Sequence, residues 1–390
     1  MMIPDLRIPF DHKHLDRLLR DAGMDAVLVT SKHNIQYLLG GYRYFFFENF
    51  DALGVSRYLP VLLYVAGRPE ATSYFGNDQE AAEVENGRFW CPTTETRFWG
   101  SLDVIDGVVG RLCQLGLEGA RIGLEKSFLP ADSMDRLRAG LPAASFAEAQ
   151  LPLERLRAVK TKAELAAMRE VSEHVTGAML ETFAAARVGM TKRDIFDLLS
   201  EREAARGLRF DFCQITLGAS LNRAPNDDVL KAGDIVSLDS GGSLGGFFGD
   251  LCRMGVAGEP DRELVDLLAF VDDIQHVARE PIRAGAIGRT IYEVADERIR
   301  ASPLAPHVSF VAHGMGIIGH EAPRLSARGP VAYPAYDADL PLQENMVISI
   351  ETTLMHPVRG FIKLEDTVAV TAGGCEGYGD EGRGWNVIPV

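Results

Sequence analysis

Asp239 and Asp250 stand eleven residues apart, closing the runs Asp234-Ile-Val-Ser-Leu-Asp239 and Phe247-Phe-Gly-Asp250. The segment between them, residues 240–246, reads Ser-Gly-Gly-Ser-Leu-Gly-Gly and is rich in turn formers. A hairpin with a two-residue loop at Leu244 and Gly245 would set the aspartates opposite each other, Cβ atoms about 4.5–5.5 Å apart. Ionised carboxylates that close repel unless they share a proton, face water or hold a cation. Two solvated aspartates on an exposed sheet face satisfy the same spacing. Downstream, His313 and His320 share a run with Gly314, Gly316 and Gly319, where backbone can approach closely. A lone histidine is ordinarily structural; two in such a run strengthen the case for a ligand. Glu351 and Glu365 each end a strand-like run, although glutamate is depleted in strands. Each, taken singly, also reads as an outward-facing strand residue.

Elements must bring these residues together. Residues 1–155 alternate helix and strand signals: a helix at 11–22 ended by Gly23, strands near 24–30, 59–65 and 121–124, and a helix at 102–115. This is an α/β domain. From residue 156 the pattern changes. Thr161 and Glu164 form a capping-box pattern ahead of a helix running to about 186, and Thr191 looks like the cap of a second, 192–206. Two further helices are expected at 261–279 and 290–301, with strands at 235–240, 247–257, 346–354 and 360–371. Helix pairs followed by strand hairpins, twice over, predict an α+β domain of two similar halves at 156–390. Residues 373–384, rich in glycine and acid, read as loosely held.

Composition narrows the partners. Against 40 Lys and Arg stand 55 Asp and Glu, a net charge of −15. That gives no general electrostatic grip on nucleic acid or anionic membranes. No apolar stretch approaches the roughly 20 residues of a membrane helix, and the beginning has no signal-peptide pattern. The five cysteines, Cys91, Cys113, Cys213, Cys252 and Cys375, are widely spaced with no Cys-x-x-Cys. Free thiols in a reducing cytoplasm are expected. Cys252, two residues after Asp250, reads as buried packing.

The order Asp, Asp eleven on, His-Gly-x-Gly-x-x-x-His-Glu-x-Pro, Ile-Glu and Leu-Glu-Asp-Thr resembles the pita-bread metallopeptidase family. Residues 31–41 look like the first-domain signature of its creatinase, aminopeptidase P and prolidase branch, and residues 156–165 like its domain junction. The resemblance implies a pita-bread catalytic domain at 156–390 behind a smaller α/β creatinase-type domain at 1–155. It implies two divalent metal ions held by Asp239, Asp250, His313, Glu351 and Glu365, with Asp250 and Glu365 bridging. Glu351 would also relay a proton from a metal-bridging hydroxide, and His320 would contact the substrate. Four carboxylates against two divalent cations make a nearly neutral cage. Oxygen donors with one imidazole suit manganese, cobalt, iron or zinc. A homodimer is also implied, with a first-domain loop such as the aromatic tract 41–50 reaching a partner's site; core packing is the plainer reading of that tract.

The pattern departs from Xaa-Pro peptidases at three positions. Asn222 and Ser309 stand where those enzymes carry histidines, and Lys363 where an arginine is usual. Lysine is a point charge without the bidentate fork of arginine. Asn222 and Lys363 are therefore candidate substrate contacts, and Arg223 and Arg324 are candidate partners for a substrate carboxylate, with solvent-facing surface arginine the commoner reading of each. The lead expectation is an Xaa-Pro peptidase acting on short peptides. A small-molecule C–N hydrolase or lyase acting on an ectoine- or betaine-like osmolyte stays open, as does a non-catalytic binding relative.

Overall fold

The computed structural model describes residues 7–46, 57–328 and 333–390. The chain divides into two compact units, Met1–Leu156 and Arg157–Val390.

The first unit contains α1 (His12–Asp21), β1 (Ala26–Val29), α2 (Lys32–Leu38), β2 (Val61–Val65), β3 (Ser73–Asn77) and α3 (Ala81–Glu85). After these come β4 (Thr93–Phe98), α4 (Ser101–Gln114), β5 (Arg121–Leu124), α5 (Ala131–Gly140) and β6 (Ser145–Glu148). The described strands form one mixed sheet in the order β4-β3-β2-β1-β5-β6. Its central strands β1 and β2 are short apolar runs buried along their length, as expected of strands covered on both faces. Tyr42 and Tyr44, from the aromatic tract, are buried in this unit's core. The Tyr42, Tyr58 and Tyr74 hydroxyls all donate to the buried Glu80 carboxylate. Phe47 and Phe50 lie outside the described residues.

Helix α6 (Gln150–Ala158) leads into the second unit. There α7 (Lys162–Ala185) and α8 (Lys192–Ala205) precede β7 (Arg209–Leu217), β8 (Ile235–Leu244) and β9 (Phe247–Ala257). Then α9 (Arg262–Arg279) and α10 (Thr290–Arg300) precede β10 (Val308–Gly314), β11 (Val347–His356) and β12 (Gly360–Val370). Short strands β13 (Cys375–Tyr378) and β14 (Asn386–Ile388) follow. The expected capping box of Thr161 with Glu164 starts α7, and the expected cap Thr191 starts α8, where it forms a second box with Asp194. The two halves supply three antiparallel strands each. They join where β12 meets β9, giving the order β10-β11-β12-β9-β8-β7, with β13 on β12 and β14 on β9. Helices α7 and α9 cover one face of this sheet.

Two expectations are corrected. The hairpin turns at Gly245-Gly246, not Leu244-Gly245. Leu244 pairs with Phe247, and both glycines have positive φ, +59° and +91°. A two-residue turn with both central residues left-handed suits two glycines and strains a leucine. The register therefore sets Asp239 opposite Cys252 and Asp250 opposite Gly241. The aspartates are diagonal neighbours on one face rather than a facing pair. Residues 373–384 are also not loose. They include β13, and the buried Arg253 guanidinium donates to the carbonyls of Gly379 and Glu381. A fully buried cation needs those acceptors, and the segment is held because it supplies them.

Candidate metal centre

Strand pairing carries the candidate ligands onto one face. Glu351 is paired with Glu365 across β11 and β12, and Glu365 with Cys252 across β12 and β9. Cys252 is in turn opposite Asp239, and it shares its face with Asp250 two residues earlier. On β10, Val311 is opposite Glu351, so His313 projects to the same side. Five neighbouring strands thus contribute one side chain each: His313, Glu351, Glu365, Asp250 and Asp239. Cys252 is fully buried between Asp239 and Glu365 in the register, which fits the packing role expected of it.

Ligand atoms of Asp250, His313 and Glu365 all lie within 4.8 Å of one another. His313 Nε2 is 3.9 Å from Glu351 Oε1 and 3.8 Å from Glu365 Oε1. Ser349 Oγ donates to Glu365 Oε1 at 2.8 Å. The His320 ring stacks on His313, centroids 3.8 Å apart. Gly314 makes that stacking possible. A Cβ there would come within 2.3 Å of the Ala322 backbone, which folds back along β10. The returning segment is fixed by Glu321, whose buried carboxylate meets Arg157 at 2.8 Å and Lys160 at 3.0 Å.

Burial sets the protonation states. It pushes Asp250 well above the usual carboxylate range, reinforced by the neighbouring charges of Glu365 and Asp239. Burial likewise lowers His313 to about 4, and lowers His320 to about 4 with help from His313. Both rings are neutral at pH 7. Lys363 goes the other way. Burial alone would lower it, but Asp239, Glu365 and Glu351 hold it well above its ordinary value.

Residues 166–372 match the family model described as metallopeptidase family M24, and residues 12–159 match the creatinase/prolidase N-terminal domain. The chain belongs to metallopeptidase family M24. It is a metallohydrolase with the pita-bread fold, preceded by the creatinase-type domain. The chain is 28% identical to a probable dipeptidase PepE of Mycobacterium tuberculosis, covering 95% of this chain and 94% of that one. It is 27% identical to an Xaa-Pro dipeptidase of Pyrococcus furiosus, over 57% of this chain and 63% of that one. The solved structure of an Xaa-Pro dipeptidase from Bacillus anthracis superposes with a TM-score of 0.79. It is 20% identical and covers 97% of this chain and 99% of that one, a likeness of fold.

The donor set of this M24 chain fits the divalent metal ions that family membership implies. His313 Nδ1 lies 3.3 Å from the Gly314 carbonyl, to which it donates as the neutral ring, while Nε2 is buried without a hydrogen-bond partner. A neutral imidazole tied at one nitrogen and open at the other is a pre-oriented ligand. Not every candidate substrate contact converges on the centre. Arg223 donates to Asp239 Oδ2, and its guanidinium lies over the Phe361 ring. Lys363 reaches Asp239, Glu351 and Glu365. Asn222 makes local bonds, its side chain accepting from the Ala224 N–H and its carbonyl from buried Lys192. The Arg324 backbone N–H donates to Asp337, and its guanidinium lies over Tyr333. Sequence reasoning missed Ser349 and the Arg157–Glu321–Lys160 cluster. Lys160 and Glu321 sit inside the two quoted motifs, but only their shared burial shows that they meet.

Proposed function

We propose that this M24 hydrolase is an Xaa-Pro peptidase of the prolidase or aminopeptidase P type, acting on short peptides. The observation that carries the reading is the placement of Asp239, Asp250, His313, Glu351 and Glu365 on one face of five adjacent strands. Those five residues would hold divalent metal, two ions at most, with manganese, cobalt, iron and zinc all matched to the donors. Bound there, a divalent ion polarises a substrate carbonyl and acidifies water. The residues do the rest. Glu351, with 15% of its side chain exposed, is the most open of Asp239, Glu351 and Glu365, and it takes and returns the proton. His320, neutral and with Nδ1 unpartnered, offers the substrate oxygen one N–H from beside His313. Arg324 is the proposed partner for a substrate carboxylate. The names of the Mycobacterium and Pyrococcus relatives support a peptide substrate, and the free cysteines a cytoplasmic setting. A homodimer rests on the family resemblance.

Metal content by elemental analysis, on the same sample assayed with Xaa-Pro dipeptides, Xaa-Pro tripeptides and non-proline controls, tests this. Bound metal with Xaa-Pro cleavage is expected. A second reading, a small-molecule C–N hydrolase, is favoured by one observation: Arg223 and Lys363 are both engaged with Asp239 rather than left open for a peptide. Bound metal without turnover of any peptide would shift the assignment to small amides.

A further inference from the structure

Glu351 and Glu365 each present two oxygens in two directions. Their Oε1 atoms face His313 Nε2, at 3.9 and 3.8 Å. Their Oε2 atoms face Lys363 Nζ, at 2.6 and 2.8 Å, and Asp239 Oδ2 completes that second position at 2.8 Å. Two cation positions therefore lie side by side across the same pair of carboxylates. One is bounded by Asp250, His313 and Glu365, and the other by Asp239, Glu351 and Glu365. We propose that the Lys363 ammonium is the permanent occupant of the second position, so that the centre takes one divalent ion, on the His313 side.

Shape, charge and tethering all favour this occupancy. In shape, an ammonium is compact with three N–H donors, and here three carboxylate oxygens surround it. A planar guanidinium could not sit at that point without spreading them. In charge, Asp239, Asp250, Glu351 and Glu365 carry −4 when ionised, and Lys363 with Arg223 carry +2. One divalent ion brings the cluster to neutrality, whereas two leave +2 on groups that, the part-exposed Arg223 apart, are largely buried, where unpaired charge is costly. As for tethering, Lys363 lies on β12 two residues before Glu365, on the same face and with its side chain only 6% exposed. It cannot diffuse away, and an entering ion would have to strip it from three carboxylates at once.

This inference rests on the ligand reading above, and the experiment separates the two. The full-length protein, stripped with chelator and dialysed, is titrated with manganese(II). The number of bound equivalents is read by calorimetry and elemental analysis, and the spin state by electron paramagnetic resonance. Wild type is expected to bind one equivalent with an uncoupled six-line spectrum at every loading. Lys363→Met, similar in length but neutral, is expected to bind two, with spin coupling at the second. Asp250→Ala is expected to bind none. Two tightly bound, coupled equivalents in wild type would overturn the occupancy of Lys363 while keeping the ligand set. A folded Lys363→Met that still binds one would overturn it too. No binding by wild type would overturn the ligand reading itself. The wild-type stoichiometry decides even if the variant fails to fold.

Discussion

Glu203 shows how one side chain near the centre couples stability to pH. It is fully buried on α8, with Oε1 2.7 Å from the Ser240 hydroxyl on β8 and Oε2 without a partner. Burial, with a smaller push from Asp211, raises it from 4.5 to about 7. The folded protein therefore binds this proton more firmly than the unfolded chain does. Stability falls as pH rises from about 4.5 through 7, by about 3 kcal/mol in total at about 1.4 kcal/mol per pH unit. Glu203→Gln removes that dependence. Urea denaturation should find the variant close to wild type at pH 4.5 and more stable by ~1–3 kcal/mol at pH 8. The five candidate ligands were legible as residue types in order, because chemistry restricts which side chains can serve. The position of Lys363 was not, since it depends on strands paired across more than a hundred residues.

At the scale of elements, the β8–β9 hairpin decides where two of the five candidate ligands stand. Positive φ at Gly245 and Gly246 fixes the pairing from Leu244–Phe247 onward and so the diagonal offset of Asp239 from Asp250. Gly245→Val places a β-branched residue in a left-handed conformation, with open space around it, so backbone strain is the whole effect. It should cost on the order of 1–2 kcal/mol and weaken manganese binding, both measurable by denaturation and calorimetry. The helices expected from the sequence, α1, α4 and α7 to α10, were legible to within a residue or two because their caps and periodicity are local, whereas α2, α3, α5 and α6 went unread. Strands β7 and β10 were missed, as were β3, β4 and β6: these are short or polar-interrupted runs, and none stands out without its partner. The turn was misplaced by one residue because the reading set Asp239 directly opposite Asp250, whereas the pairing of Leu244 with Phe247 sets them one diagonal apart.

At the scale of the whole molecule, the apolar clusters among the described residues divide between the two units, two in the first and four in the second. All the candidate ligands belong to the second. A metal at about a thousandfold its dissociation constant stabilises the fold that binds it by about 4 kcal/mol, on the order of 10 °C for a unit of this size. Scanning calorimetry with and without chelator should move the transition of Arg157–Val390 by that amount and leave that of the first unit in place. Strand β12 gives this unit another property. Glu365 faces the centre, while Asp366 faces the opposite way and meets Arg253, Arg279 and Arg383. Arg253 also donates to the Glu365 carbonyl, and it needs Gly379 and Glu381 as acceptors. During synthesis every candidate ligand has been made once Glu365 is added. The clamp on that residue's backbone waits for residues 379–383. A ribosome pausing between these points would hold a chain that carries every donor but not the cross-bracing that sets them, so metal capture follows completion of this segment.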